Sequence, residues 1–121
     1  MIYYAHSKRI YGTEQERAEL DWLKKKFPKV LDPNGDLGEL GSIVPYLEAV
    51  TKCSAVVVSE YQKHIGRGAF SEIEHALSRK KPVHCIRKYR NKFRLVIVSR
   101  VEIVDGEDWA VRYGRIVTRQ R

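Results

Sequence analysis

The chain has 121 residues, 43% of them hydrophobic, a formal charge of +8 and a pI near 9.6. That length suits one compact core and excludes a second of similar size, so residues 1–121 are read as a single domain. No apolar run approaches the ~18–20 residues of a membrane span, and the opening MIYYAHSKR lacks the roughly 7–15-residue apolar centre of a signal peptide, so a cytoplasmic protein with no membrane partner is expected.

The positive charge favours anionic partners such as nucleotides, nucleic acid or phosphate esters. It is concentrated between Arg79 and Arg100 (RKKPVHCIRKYRNKFRLVIVSR), with smaller groups at Lys8 and Arg9 and at Arg119 and Arg121. A solvated basic face that keeps the protein in solution accounts for it equally well. Cys53 and Cys85 are the two cysteines, expected as reduced, buried thiols rather than a disulfide. The four histidines, His6, His64, His75 and His84, show no CxxC, HxxxH or HExxH spacing, and neither a metal nor another cofactor is predicted.

In chain order, IYYAHS is a β-prone run, followed by a polar turn through Gly12 and a Thr13-x-x-Glu16 capping box. The box opens a helix to Phe27. Leu20, Leu23 and Phe27 recur at helical spacing, joined by Ala18 and Trp22, while Glu14, Glu16, Arg17, Lys24 and Lys25 populate the other side. Pro28 ends it. KVLDP reads as a second strand, NGDLGELGS as a glycine-rich acidic loop that could form a flexible rim, and Val44 to Thr51 as a short helix. SAVVVS is a continuous apolar run of the kind found at the centre of a parallel sheet. After the loop EYQKHIGRG comes a helix from about Ala69 to Arg79, with Phe70, Ile73, Ala76 and Leu77 on its apolar side, and then the strand PVHCIR. This β-α-β-α-β-α-β alternation predicts a three-layer α/β fold, Rossmann-like (flavodoxin-like), with a parallel sheet and helices on both faces. FRLVIVS, VEIV and WAVRYGRIV form a C-terminal β extension, with Asp105-Gly106 as a tight turn.

In such sheets ligands bind beyond the carboxyl ends of the strands. Three segments are expected to converge there: His6 to Arg9 after the first strand, Ser59, Glu60 and Tyr61 after the third, and the loop leading into Ala69. Glu72 falls in the first turn of the helix that begins at that loop. Its plain reading is a glutamate complementing the helix dipole, worth about 0.3–1 kcal/mol.

GAFSEIEHALSRKKPV, preceded by CSAVVVS and with IYYAHS at the start, resembles the nucleoside 2-deoxyribosyltransferase superfamily, which includes the deoxynucleoside 5′-monophosphate N-hydrolases. Gly68, Glu72, Ile73, Ala76, Lys81, Pro82 and Val83 fall in register with that family's Gly-x-x-x-Glu-Ile-Gly-x-Ala segment and its closing Gly-Lys-Pro-Val strand. The resemblance spans roughly residues 2 to 87 and is specific only from Gly68 to Val83. It implies that Glu72 is the catalytic nucleophile at the sugar C1′, and that the HSKRIYG turn places Ser7 and Arg9, with Arg67, on a 5′-phosphate. An ordinary polar turn is the equal alternative for Ser7 and Arg9. It also implies a homodimer, because sites in the family are often completed by a neighbouring subunit.

A carboxylate beneath C1′ stabilises the positive charge that builds as an N-glycosidic bond breaks, as in retaining glycosidases. Tyr61, His64 or a main-chain group could protonate or hydrogen-bond the leaving base. The chain departs from the family at Ser54, where an acidic residue is usual, at Glu74, where a glycine is usual, and in HIGRG, which lacks the aspartates of several transferases. Glu74 is expected to point to solvent, and His75 to make a helix-surface ion pair rather than serve Glu72. The sequence reading is therefore a nucleoside or nucleoside 5′-monophosphate N-glycosidase, hydrolase before transferase, with Ser7, Arg9, Tyr61, Arg67 and Gly68 binding substrate. Its rivals are a non-catalytic nucleotide sensor of the same fold and, ranked below it, a nucleic-acid-binding protein using Tyr89, Arg90, Lys92, Phe93 and Arg94; aromatics at a strand start are more often core.

Overall fold

In the computed structural model, which describes residues 1–38, 41–104 and 112–119, two short apolar runs make the centre of the sheet. β1 (Ile2–Ala5) is buried along its whole length, and β2 (Val30–Leu31) and β3 (Ala55–Val58) pair with its two edges in parallel. A strand covered on both faces has no polar side to show, which is why IYYA and AVVV read as unbroken β-branched and aromatic runs. β4 (Val83–Tyr89) adds in parallel to the far edge of β3. There the chain turns back on itself. β5 (Lys92–Ile103) runs antiparallel to β4, and β6 (Gly114–Thr118) antiparallel to β5.

The fold is thus α/β with a six-stranded mixed sheet in the order β2-β1-β3-β4-β5-β6. The parallel sheet expected from the sequence is limited to the first four of these strands, and the β extension is larger than expected. The cause is local: Arg90 and Asn91 both adopt positive φ (51° and 64°), closing a hairpin, whereas a parallel neighbour would need a crossover of roughly a dozen residues or more. FRLVIVS and VEIV form one strand, not two, carried across an irregularity between Val98 and Arg100. The Asp105-Gly106 turn and the start of WAVRYGRIV lie outside the described residues; the end of that run is β6.

Three α-helices pack on the sheet: α1 (Glu14–Lys26), α2 (Val44–Lys52) and α3 (Arg67–Ser78). Strand alternation divides the core. Tyr3, Ala5, Val56 and Val58 meet Ala49 and Val50 of α2 and Ala69, Phe70, Ile73 and Ala76 of α3. Ile2, Tyr4 and Val57 meet Leu23 of α1. Cys53 and Cys85 are free thiols buried in the first cluster. No helix among the described residues is long and apolar enough to cross a membrane.

The capping box of α1 forms only in half. Thr13 Oγ1 accepts the Glu16 N–H (3.3 Å), but the Glu16 carboxylate accepts the Gly12 N–H (3.0 Å) instead of returning to Thr13. Glu16 and Glu19 are also buried, at 6% and 4% exposure, so Glu16 is not on a solvent side. Polar groups on β1 and in the turns beside it draw both inward.

β6 fixes the chain that leads into α3. Ile65 N–H donates to the Gly114 carbonyl (2.8 Å) and Gly114 N–H to the Ile65 carbonyl (3.0 Å), so the loop after β3 is tied to the C-terminal strand. Gly114 permits this approach: a Cβ there would lie 2.5 Å from Phe70 Cδ2 and 3.1 Å from the Glu102 carbonyl oxygen. Gly114→Ala must displace the Phe70 ring or the strand, and we expect a loss of about 1–3 kcal/mol in denaturant unfolding. An unchanged midpoint would show that the loop is not clamped at this position.

Candidate functional site

Five of the residues singled out from the sequence, Ser7, Arg9, Arg67, Gly68 and Glu72, line one cavity of about 550 Å³. Its walls are the loop after β1, the start of α3 and the segment entering α2, and it lies beyond the carboxyl end of β1. Ser7 is buried and its Oγ accepts the Arg9 N–H (3.2 Å), capping a single 3-10 turn over Lys8–Ile10. The hydroxyl therefore sets the path of the loop that carries Arg9. α3 starts at Arg67, earlier than the sequence reading had it, because extended Gly66 is its N-cap; no side chain caps the helix there, although Gly66, Arg67 and Gly68 all line the cavity. Nothing lies within 4 Å of the position a Cβ would take at Gly68, so open space faces that residue.

The earlier start moves Glu72 out of the first turn of α3, which carries no acidic residue. The dipole account of Glu72 is thereby corrected. Glu72 shares the buried stripe of α3 with Ala69, Ile73 and Ala76 and is itself only 5% exposed. Its Oε2 accepts a hydrogen bond from the Tyr3 hydroxyl, and Tyr3 is fully buried in β1. Burial pushes the Glu72 carboxyl up to about 8, and the Tyr3 hydrogen bond partly opposes that rise. Tyr3 and Tyr11 are both pushed above the usual phenol range, first by burial and then by the Glu72 charge, so both keep their protons. The site thus presents a carboxyl that titrates near neutrality, tuned by desolvation, with hydroxyl groups around it.

The segment expected after β3 goes elsewhere. Tyr61 does not line this cavity; its backbone pairs with His64 in a tight turn, and the His64 Nδ1 lies 2.8 Å from the Gln62 carbonyl oxygen. Ser59 donates to Glu19 (2.8 Å), and Glu60 holds the Arg87 guanidinium (2.9 Å). The wall expected from that turn is supplied by Gly41, Ser42, Ile43 and Tyr46 instead. Sequence reasoning gave the loop through Gly41 and Ser42 as a rim, but it missed Ile43, Tyr46, Tyr3 and Tyr11. A tyrosine inside an unbroken apolar strand carries a hydroxyl that must find a partner, and that signal was available for Tyr3. Glu74 is exposed, as expected, while His75 bonds Thr51 Oγ1 (2.7 Å) and, among the described residues, no acid.

Beside the cavity, His6, Glu16 and Asp32 bring one donor atom each to within 4.8 Å of one another, the grouping among the described residues that could hold a metal ion. Hydrogen bonds already engage it. His6 Nε2 lies 2.7 Å from Glu16 Oε2 and Nδ1 lies 3.0 Å from the Tyr4 carbonyl oxygen, while the Asn34 amide donates to both Glu16 oxygens (3.2 and 3.1 Å). Burial alone would raise Glu16, but the bonds from Gly12, His6 and Asn34 outweigh it and hold the carboxyl below its usual range. The group braces the His6–Tyr11 loop. Comparison with protein-family models, with curated proteins and with solved structures gave no match to this chain.

The raised Glu72 carboxyl has a thermodynamic signature. Between the ordinary carboxyl value of 4.5 and about 8 the folded chain keeps a proton that the unfolded chain has lost, so through this group stability is complete below about 4.5, falls as pH rises, and is lost above about 8. Glu72→Gln removes that slope. We expect the variant to gain on the wild type by on the order of a few kcal/mol across this window in urea unfolding at several pH values. Parallel pH profiles for the two proteins would contradict the burial account.

Proposed function

We propose that the chain is a three-layer, Rossmann-like domain of the nucleoside 2-deoxyribosyltransferase type that cleaves the N-glycosidic bond of a nucleoside or nucleoside 5′-monophosphate, by hydrolysis before transfer. The observation that carries the reading is a buried carboxyl, Glu72, at one wall of a cavity whose other walls bring Ser7, Arg9 and the uncapped start of α3. A cavity of about 550 Å³ is of the size that encloses small ligands. Helix N–H groups, a guanidinium and a hydroxyl are the donors a phosphate requires. The homodimer implied by the family belongs to the same reading.

In this mechanism a Glu72 carboxylate oxygen attacks C1′ as the C1′–N bond breaks. The bonding pair leaves with the base, which takes up a proton. Water then attacks C1′, releasing the free sugar or sugar phosphate and restoring Glu72. The desolvated carboxylate is stabilised by the positive charge that develops on the sugar, so its interaction is stronger in the transition state than before it. Tyr3 holds the other end of the carboxyl and eases its ionisation, which makes it a positioning residue.

The test is chromatographic detection of free base from a panel of ribo- and deoxyribonucleosides and their 5′-monophosphates. We expect base release that Glu72→Gln abolishes, and kcat/KM that rises with pH up to about 8, where the attacking carboxylate forms. Tyr3→Phe removes the bond that lowers the Glu72 carboxyl, so this limb is expected to move to higher pH by about one unit. Arg9→Gln is expected to cost about tenfold or more in kcat/KM on monophosphates and little on nucleosides. No release from any substrate, with or without an acceptor base, would overturn the reading.

One observation favours a second reading. With its carboxyl at about 8, Glu72 is mostly protonated at neutral pH and can donate a hydrogen bond to a bound nucleotide without attacking it. Saturable nucleotide binding by calorimetry, weakened by Arg9→Gln and accompanied by no free base at any pH, would establish that sensor-like role.

A further inference from the structure

A second feature at the same end of the sheet stands apart from the cavity. β4 pairs with β3 only as far as Cys85, opposite Val58; beyond it, Ile86 to Tyr89 pair with β5 alone, from Leu95 to Lys92. The hairpin therefore projects past the end of β3 as a two-stranded ribbon, by ~13 Å at ~3.3 Å per residue. Five of the eight residues from Arg87 to Arg94 are cationic and none is acidic.

The details do not suit a face that serves only to keep the protein in solution. Arg87 lies directly opposite Arg94 in the ladder, a like-charge pair that lowers strand stability. Glu60 neutralises Arg87 (2.9 Å), while among the described residues no carboxylate lies within ion-pair distance of Lys88, Arg90, Lys92 or Arg94. Arg90 occupies a left-handed turn position (φ 51°) where glycine or asparagine would be less strained, which puts a cation at the tip. The two aromatics of the ribbon also differ. Phe93 packs on Trp22 (ring centroids 5.5 Å apart) and is structural. Tyr89 is 57% exposed, with the Arg90 and Arg94 guanidinium carbons 5.3 and 5.4 Å from its ring centroid. Alternation puts Tyr89, Lys92 and Arg94 on one face of the ribbon, away from Phe93.

We propose that the β4–β5 ribbon is a docking arm for single-stranded nucleic acid, with Arg90, Lys92 and Arg94 on successive phosphates and Tyr89 stacked against a base. Cations along a ribbon follow a phosphate backbone, and an exposed ring flanked by guanidinium groups offers planar surface to an unpaired base. A duplex keeps its base faces stacked inside and has no use for Tyr89. A second cavity, of about 490 Å³, lies at the root of the ribbon, but Glu14, Glu19 and Glu60 line it, so the phosphate track runs along the outer face with Tyr89. The arm stands whether or not the Glu72 cavity cleaves its ligand.

The test is fluorescence anisotropy of an end-labelled oligothymidylate titrated with the full chain over a range of salt concentrations. Three phosphate contacts give a slope of log K against log salt of about −2. Arg90→Gln with Arg94→Gln is expected to flatten the slope by about 1.4 and to weaken binding at least tenfold at low salt. Tyr89→Ala is expected to weaken binding about tenfold with the slope unchanged, and Tyr89→Phe to restore it. Circular dichroism and thermal unfolding verify that each variant is folded, and base release from mononucleotides is expected to be untouched. The proposal is overturned by absence of binding at low salt, by equal affinity for a duplex of the same length that ignores Tyr89→Ala, or by binding to vesicles of anionic phospholipid but not to the oligonucleotide.

Discussion

The Glu72 carboxyl lies on the face of α3 that docks against the sheet, so the helix cannot pack without taking an ionisable group out of water. A carboxylate taken out of water is costly, and the chain meets the cost in two ways. The group holds its proton up to about pH 8, and the fully buried Tyr3 hydroxyl, which also needs a partner, bonds to it. The arrangement requires β1 in one register, since a slip of a single residue would turn Tyr3 to the other face. It also requires α3 to start at Arg67, directly after its N-cap Gly66, and there the Ile65–Gly114 bonds bring the C-terminal strand into the construction of the site.

The next residue on β1 repeats the device on the opposite face. Tyr4 donates to Glu19 of α1 (2.5 Å), and Ser59 at the end of β3 donates to the other Glu19 oxygen (2.8 Å). Consecutive tyrosines in a period-two strand thus each hold a glutamate from a different helix. His6 then leaves the sheet against Glu16, and Asn34 joins that carboxylate from the turn after β2. The polar residues at this end of the sheet are bonded to one another, and they hold the loop from His6 to Tyr11 that forms one wall of the cavity. The fixed loop and the fixed carboxyl face the same space from different elements, which is the preorganisation a ligand site needs.

Much of this could be read from residue pattern. The unbroken runs IYYA and AVVV marked the central strands, and the 3.6-residue spacing marked two of the helices, with Thr13 fixing the start of one and the start of the other placed two residues late at Ala69. Glu72 was singled out by resemblance, while its pattern alone read as a first-turn glutamate; the buried stripe it shares with Ala69, Ile73 and Ala76 follows from where α3 starts. What could not be read was direction. Nothing local said that the chain would reverse at Arg90 and Asn91, because that turn lacks the glycine that usually signals it. Glu16 looked solvated because the helical pattern scores a charge as surface, and only its partners at the end of β1 and in the turns beside it reverse that. Tyr61 was assigned to the site by its place after a central strand; the tight turn to His64 carries it away, and the segment before α2 takes its place.

The claim on which the account rests is that Glu72 is a carboxyl buried against Tyr3 and titrating near neutrality. Site-specific carbon NMR of the glutamate side-chain carboxyls, with Glu72 assigned by its absence in Glu72→Gln, reads that titration without assuming any activity. The account predicts a midpoint near 8 for Glu72 that rises when Tyr3 is replaced by Phe. A midpoint near the ordinary value of 4.5, unmoved by Tyr3→Phe, would contradict it and leave Glu72 as a hydrated helix residue with no part in a site.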